Sequence, residues 1–190
     1  MIGDVQFAAL AKLKPAGTRL QKQLADPRAE FGRAMKRCVD LGLVGQPKRW
    51  ILEIGGGVPY LAAAVSLFGH DVLSLDAPDP VLDEAARVLG YDFCEHVIRH
   101  GDLLPMLPHG FDLIVAFHGL SIDGDLCDMR NAARIVDAAA RRLNPGGRIV
   151  TAWPREYQHG RWAVCSRWRR LLKSHMRITA HTDWIEFVPK

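Results

Sequence analysis

Residues Arg49–Asp76 read RWILEIGGGVPYLAAAVSLFGHDVLSLD. An apolar run (Trp50, Ile51, Leu52, Ile54) meets three glycines, Gly55 to Gly57, and Val58-Pro59 then leads into an alanine-rich helical pattern from Tyr60 to Phe68. Gly69 ends that pattern, and a second β-prone run from Asp71 to Leu75 stops on a carboxylate, Asp76. Strand, tight turn, helix, strand is the order of the first β-α-β unit of a nucleotide-binding sheet. Glycines after the strand let backbone approach a ligand without a Cβ in the way, and the helix N-terminus beyond them offers N–H groups to a carboxylate or phosphate. Asp76 stands about 20 residues downstream, where an acid at the end of the second strand accepts hydrogen bonds from ribose hydroxyls. The dinucleotide fingerprint GxGxxG is incomplete, because Tyr60 occupies the place of its third glycine.

Outward from this unit the alternation continues, and its regularity predicts a parallel, doubly wound α/β sheet. The first strand is expected at Trp50 to Ile54, its helix at about Pro59 to Phe68, and the second strand at Val72 to Leu75. Asp79-Pro80 starts the next helix as a capping carboxylate before a proline, with a stop at Gly90. A short third strand is expected at His96 to Arg99 and a fourth at Asp112 to Phe117. A helix over about Met129 to Leu143 then turns through Asn144-Pro145-Gly146-Gly147 into a fifth strand, Arg148 to Ala152. In the tail, Arg161 to Lys173 has near-helical apolar spacing, and two β-prone runs, Met176 to Ala180 and Trp184 to Val188, predict a closing hairpin. Ahead of the sheet, residues 4–13 and 27–42 carry helical periodicity, so two or three short helices are expected there. In the second, Phe31, Ala34, Met35, Cys38, Val39 and Leu41 form one apolar face, which either packs on the sheet or serves as a lid. The expected organisation is one domain, with residues 1–48 as a helical cap and 49–190 as the sheet core.

The 190 residues are nearly half apolar and about a quarter charged, an ordinary balance for a globular protein. No apolar run approaches the roughly 20 residues of a membrane helix, and MIGDVQF lacks a secretory pattern, so a cytoplasmic protein with no membrane role is expected. Cys38, Cys94, Cys127 and Cys165 lie far apart with no CxxC pair, which suits reduced thiols and no zinc site. The net charge of +4 is unevenly spread: residues 1–50 carry ten Lys/Arg against four Asp/Glu, 51–154 seven against fourteen, and 155–177 seven against one. Basic ends of this kind are either solvated helix faces or an attraction for nucleic acid or an anionic substrate.

At Glu53-Ile54-Gly55-Gly56-Gly57-Val58-Pro59 the chain resembles the first motif of the class I S-adenosylmethionine-dependent methyltransferases, an acid, any residue, then GxGxG, except that proline takes the last position. Asp76 matches the acid ending that family's second strand, Gly101-Asp102-Leu103-Leu104-Pro105 is similar to its segment after the third, Phe111 to Phe117 to its fourth strand, and Leu143 to Val150 to its turn into the fifth. These matches run in order over about residues 49–152. The resemblance implies a Rossmann-like seven-stranded sheet in the order 3-2-1-4-5-7-6 with the last strand antiparallel, and S-adenosylmethionine as cofactor. It further implies that Glu53, Gly55, Gly56 and Gly57 hold the amino-acid end of the cofactor, Asp76 and the adjoining Ala77 the ribose, and Asp102 with Leu103 the adenine. Phe117 and His118 would face the methyl group and its acceptor. His118 is the candidate catalytic base, needed only for a hydroxyl or protonated amine; its other reading is a pocket-shaping histidine.

Other clusters have plainer readings. His96 and His100 stand roughly 13 Å apart if on one strand, too far to share a metal. Asp123, Asp125 and Asp128 precede a helix, where acids cap and complement the dipole. Trp153, Tyr157, His159 and Trp162 either line an acceptor pocket or form a core seam. The leading reading is a methyltransferase with a small-molecule acceptor. An RNA or protein methyltransferase, a methyltransferase-like binding protein without catalysis and a nicotinamide-dependent oxidoreductase stand as alternatives, the last disfavoured by the missing glycine.

Overall fold

The computed structural model of the protein describes residues 2–15, 17–91, 93–98, 104, 107–117, 129–152, 161–172 and 175–190. Seven strands form one sheet: β1 (Trp50–Ile54), β2 (Asp71–Asp76), β3 (Phe93–Glu95), β4 (Phe111–Ala116), β5 (Leu143–Ala152), β6 (Met176–Ala180) and β7 (Trp184–Pro189). Their order is β3-β2-β1-β4-β5-β7-β6. β1 pairs parallel with β4, β4 with β5 and β2 with β3, whereas β7 runs antiparallel to both β5 and β6. The expected Rossmann-like topology with its closing hairpin is therefore present. Seven helices accompany it: α1 (Asp4–Leu10), α2 (Thr18–Ala25), α3 (Pro27–Asp40), α4 (Tyr60–Leu67), α5 (Pro80–Leu89), α6 (Met129–Ala140) and α7 (Arg161–Leu172).

The chain divides into two compact units, Met1–Arg49 with Gly56–Val97, and Trp50–Gly55 with Ile98–Lys190. In the first, α3 packs on α4 and α1 touches α3 and α5. Asp26 caps α3 by accepting from Ala29 N at 3.0 Å, and Asp79 caps α5 by accepting from Val81 N at 2.8 Å, each just before a helix-opening proline. Gly90 ends α5 at φ +75°, a left-handed conformation that a side chain would strain. His70, 3% exposed, joins two chain segments: its Nδ1 accepts from Arg49 N at 3.1 Å while Nε2 donates to Leu43 O at 2.8 Å, which requires the neutral ring.

In the second unit the fully buried Phe111, Leu113, Ile114 and Phe187 form the centre of the core. Asp112 staples three segments: Oδ2 accepts from Trp50 N at 2.8 Å and Oδ1 from Asn144 Nδ2 at 2.9 Å, and that amide also reaches Gly110 O at 2.7 Å. Trp168 of α7 meets Phe187 edge-on at 5.0 Å.

Four expectations need correction. β3 begins at Phe93, three residues ahead of the expected His96 to Arg99, because Phe93, Cys94 and Glu95 are the residues in register with Ser74, Leu75 and Asp76. α6 stops at Ala140, and Leu143 already pairs with Phe111, so the Asn144–Gly147 turn bulges out of a strand instead of separating helix from strand. Of the apolar face expected on α3, Ala34, Cys38 and the C-cap Leu41 are buried and Phe31 and Met35 half-buried, while Val39 points out at 60% exposure. Pro59 is the N-cap of α4, not its first helical residue.

Candidate functional site

The motif residues that the structure describes fall in both units: Glu53 and Gly55 in the second, and Gly56, Gly57, Asp76 and Ala77 in the first. In the second unit, Glu53 lies on β1 at 5% exposure, and Gly55 follows at φ +65° with no atom within 4 Å of where a Cβ would stand. Its backbone thus borders open space, as close approach of a ligand requires. In the first unit, Gly57 adopts φ +73° and its N–H donates to Asp76 Oδ2 at 2.7 Å, tying the glycine turn to the end of β2 across nineteen residues of sequence. Ala77 N donates to Asp76 Oδ1 at 2.8 Å, so the carboxylate is oriented from both sides.

Two residues that no motif marked complete this arrangement. Arg19 of α2 donates from Nη2 to Asp76 Oδ2 at 3.2 Å. Gln23, one turn on, bridges the glycine turn: Nε2 donates to Gly56 O at 3.0 Å and Oε1 accepts from Val58 N at 3.1 Å. Tyr60 Oη in turn donates to the Gln23 carbonyl at 3.1 Å. Burial pushes the Tyr60 phenol up from its ordinary value, with the nearby Glu30 and Asp26 carboxylates adding to the shift. The available signal for Gln23 was positional. Leu20, Gln23 and Leu24 have i, i+3, i+4 spacing, so the glutamine shares the buried face of α2.

Phe117 directly follows β4 and is half-buried. Asp102, Leu103 and His118 lie outside the described residues, as do Asp123, Asp125, Asp128, Trp153, Tyr157 and His159. Among the described residues no helix is long and apolar enough to cross a membrane. A separate cavity of about 290 Å³ in the second unit, lined by Arg130, Arg134, Asp137, Leu172 and His175 among others, contains none of the motif residues.

Chemically, the first unit offers a carboxylate at a strand end, 15% exposed in its side chain, beside a glycine turn. Such a carboxylate can accept from vicinal hydroxyls. No family model matches the chain, and no curated protein sequence is similar to it. Solved structures are similar in fold. A TehB-like S-adenosylmethionine-dependent methyltransferase from Corynebacterium glutamicum is 21% identical, with 83% of this chain covering 88% of that one at a TM-score of 0.55. The N-methyltransferase NodS from Bradyrhizobium japonicum is 18% identical, with 84% covering 96% at 0.57. The glycopeptide N-methyltransferase MtfA, solved with S-adenosylhomocysteine, is 13% identical, with 83% covering 90% at 0.58. Strand order, closing hairpin and these likenesses agree: the chain has the fold of the class I S-adenosylmethionine-dependent methyltransferases.

Proposed function

We propose that the protein is an S-adenosylmethionine-dependent methyltransferase acting on a small-molecule acceptor. The observation that carries this reading is the 2.7 Å bond from Gly57 N to Asp76 Oδ2, which joins the glycine turn to the strand-end acid within a sheet of methyltransferase order. The residues present fit the cofactor at two points. Asp76 presents carboxylate oxygens for the ribose hydroxyls, and Gly55 leaves backbone open where the amino-acid end would pass. Glu53, Gly56 and Ala77 complete that side, with Asp102 and Leu103 proposed at the adenine. When bound, S-adenosylmethionine supplies a methyl group on a positively charged sulfur, already activated for transfer.

What the chain must then do is position the acceptor and exclude water, a contribution that alignment alone makes large. Phe117, at the end of β4, is proposed to wall the reacting region, and His118 beside it in sequence to take a proton from a hydroxyl or ammonium acceptor.

Calorimetric titration with S-adenosylhomocysteine tests the proposal. Saturable binding is expected, with Asp76→Ala weakening it by about 1–3 kcal/mol through lost charged hydrogen bonds. His118→Ala should retain that affinity while methyl transfer falls. Saturable NADH binding with none for S-adenosylhomocysteine would replace the reading by an oxidoreductase.

A further inference from the structure

The glycine turn is closed by the chain's own α2. A Cβ on Gly57 would lie 2.3 Å from Gln23 Oε1 and 3.0 Å from Arg19 Nη2, so these two side chains fill the space that the missing Cβ leaves. Gln23 takes the Val58 N–H, a donor that an anionic group at the start of α4 would otherwise use. Asp76 is engaged to the same degree. Oδ2 already accepts from Gly57 N and Arg19 Nη2, and Oδ1 from Ala77 N. A carboxylate has about four acceptor positions, so while Arg19 stays only one remains, and two ribose hydroxyls need two. Arg19 is the partner able to leave. Its side chain is 45% exposed, whereas the other two donors are backbone of the turn and of β2's end.

We propose that α2 is a built-in competitor for the cofactor site: Arg19 and Gln23 stand in the place of an adenosyl ribose and the group next to it, and binding withdraws Arg19 from Asp76 and Gln23 from the turn. The proposal rests on the methyltransferase reading above and adds a regulation of its site. Only the withdrawn form accepts the ribose, so apparent affinity is reduced by the fraction of molecules in that form.

The test is calorimetric titration of wild type, Arg19→Gln and the double variant Arg19→Gln/Gln23→Ala with S-adenosylhomocysteine. Arg19→Gln is expected to bind about two- to fivefold tighter, the equivalent of one partly exposed ion pair removed, and the double variant tighter still. Unchanged or weaker binding by Arg19→Gln, with wild type binding normally, overturns the proposal and makes Arg19 a bystander or a cofactor ligand, leaving the methyltransferase reading intact. Binding by none of the three removes both. Should the double variant fail to fold, hydrogen exchange of the wild type decides. Amides of α2 exchange faster with S-adenosylhomocysteine present if the helix is displaced, and slower exchange overturns displacement.

Discussion

Among the described residues, the glycine turn within β5 and the one after β1 are held by different kinds of group. At Asn144–Gly147 the side chain that makes the bonds belongs to the turn itself: Asn144 Nδ2 donates to Gly110 O and to Asp112 Oδ1, and a Cβ at Gly146 would meet nothing within 4 Å, whereas one at Gly147 would stand 3.0 Å from two backbone oxygens. At Gly56–Val58 the bonding side chain comes from outside the turn, Gln23 of α2, and Gln23 and Arg19 fill the space beside Gly57. The first arrangement suits a structural corner. The second is the arrangement that the proposed cofactor site would require a ligand to replace.

Substitution of the two glycines should separate them most sharply. Gly57→Ala imposes a left-handed backbone on a side chain, costing about 1–2 kcal/mol, and also displaces Gln23 from two hydrogen bonds worth about 1 kcal/mol each. Urea unfolding should therefore show a loss of about 3–4 kcal/mol, whereas Gly146→Ala, at φ +80° in open space, should lose only the backbone part. Equal losses would mean that Gln23 yields freely. Next in size is Asp112→Ala, which takes the side-chain acceptor from Trp50 N–H and leaves the Asn144 amide only its bond to Gly110 O, and is expected to cost about 1–3 kcal/mol. It should leave S-adenosylhomocysteine affinity unchanged, since Asp112 supports the Asn144–Gly147 turn.

The smallest effect concerns Tyr60, whose hydroxyl supports Gln23. At neutral pH, Tyr60→Phe should cost about 1 kcal/mol. Because burial raises the folded-state pKa, the unfolded chain releases the proton first. This contribution is thus complete below the ordinary tyrosine value of about 10 and declines as pH rises beyond it. Stability of Tyr60→Phe, followed by denaturation from pH 8 to 11, should be flatter than that of wild type in the upper part of the range.

Legibility from sequence followed the same division. Trp50–Ile54 and Met176–Ala180 were readable to the residue, since alternation and breakers coincide there, and so were the Asp79-Pro80 start and Gly90 stop of α5. β3 was displaced by three residues because His96-Val97-Ile98 is as β-prone as Phe93-Cys94-Glu95, and the choice is made by register with β2. Gly57 and Asp76 could be assigned to one neighbourhood from the β-α-β spacing alone. Arg19 and Gln23 could not, because a polar helix carries no motif and their partners, the Asp76 carboxylate and backbone atoms of the turn, are distant in sequence.

The central claim, that Asp76 is the ribose anchor of an S-adenosylmethionine site, is tested most directly by a crystal structure of the protein with S-adenosylhomocysteine. The account predicts ribose hydroxyls within hydrogen-bonding distance of both Asp76 oxygens and Arg19 Nη2 no longer at its 3.2 Å contact. A bound ligand that leaves the Arg19–Asp76 pair intact, with its ribose elsewhere, would contradict it.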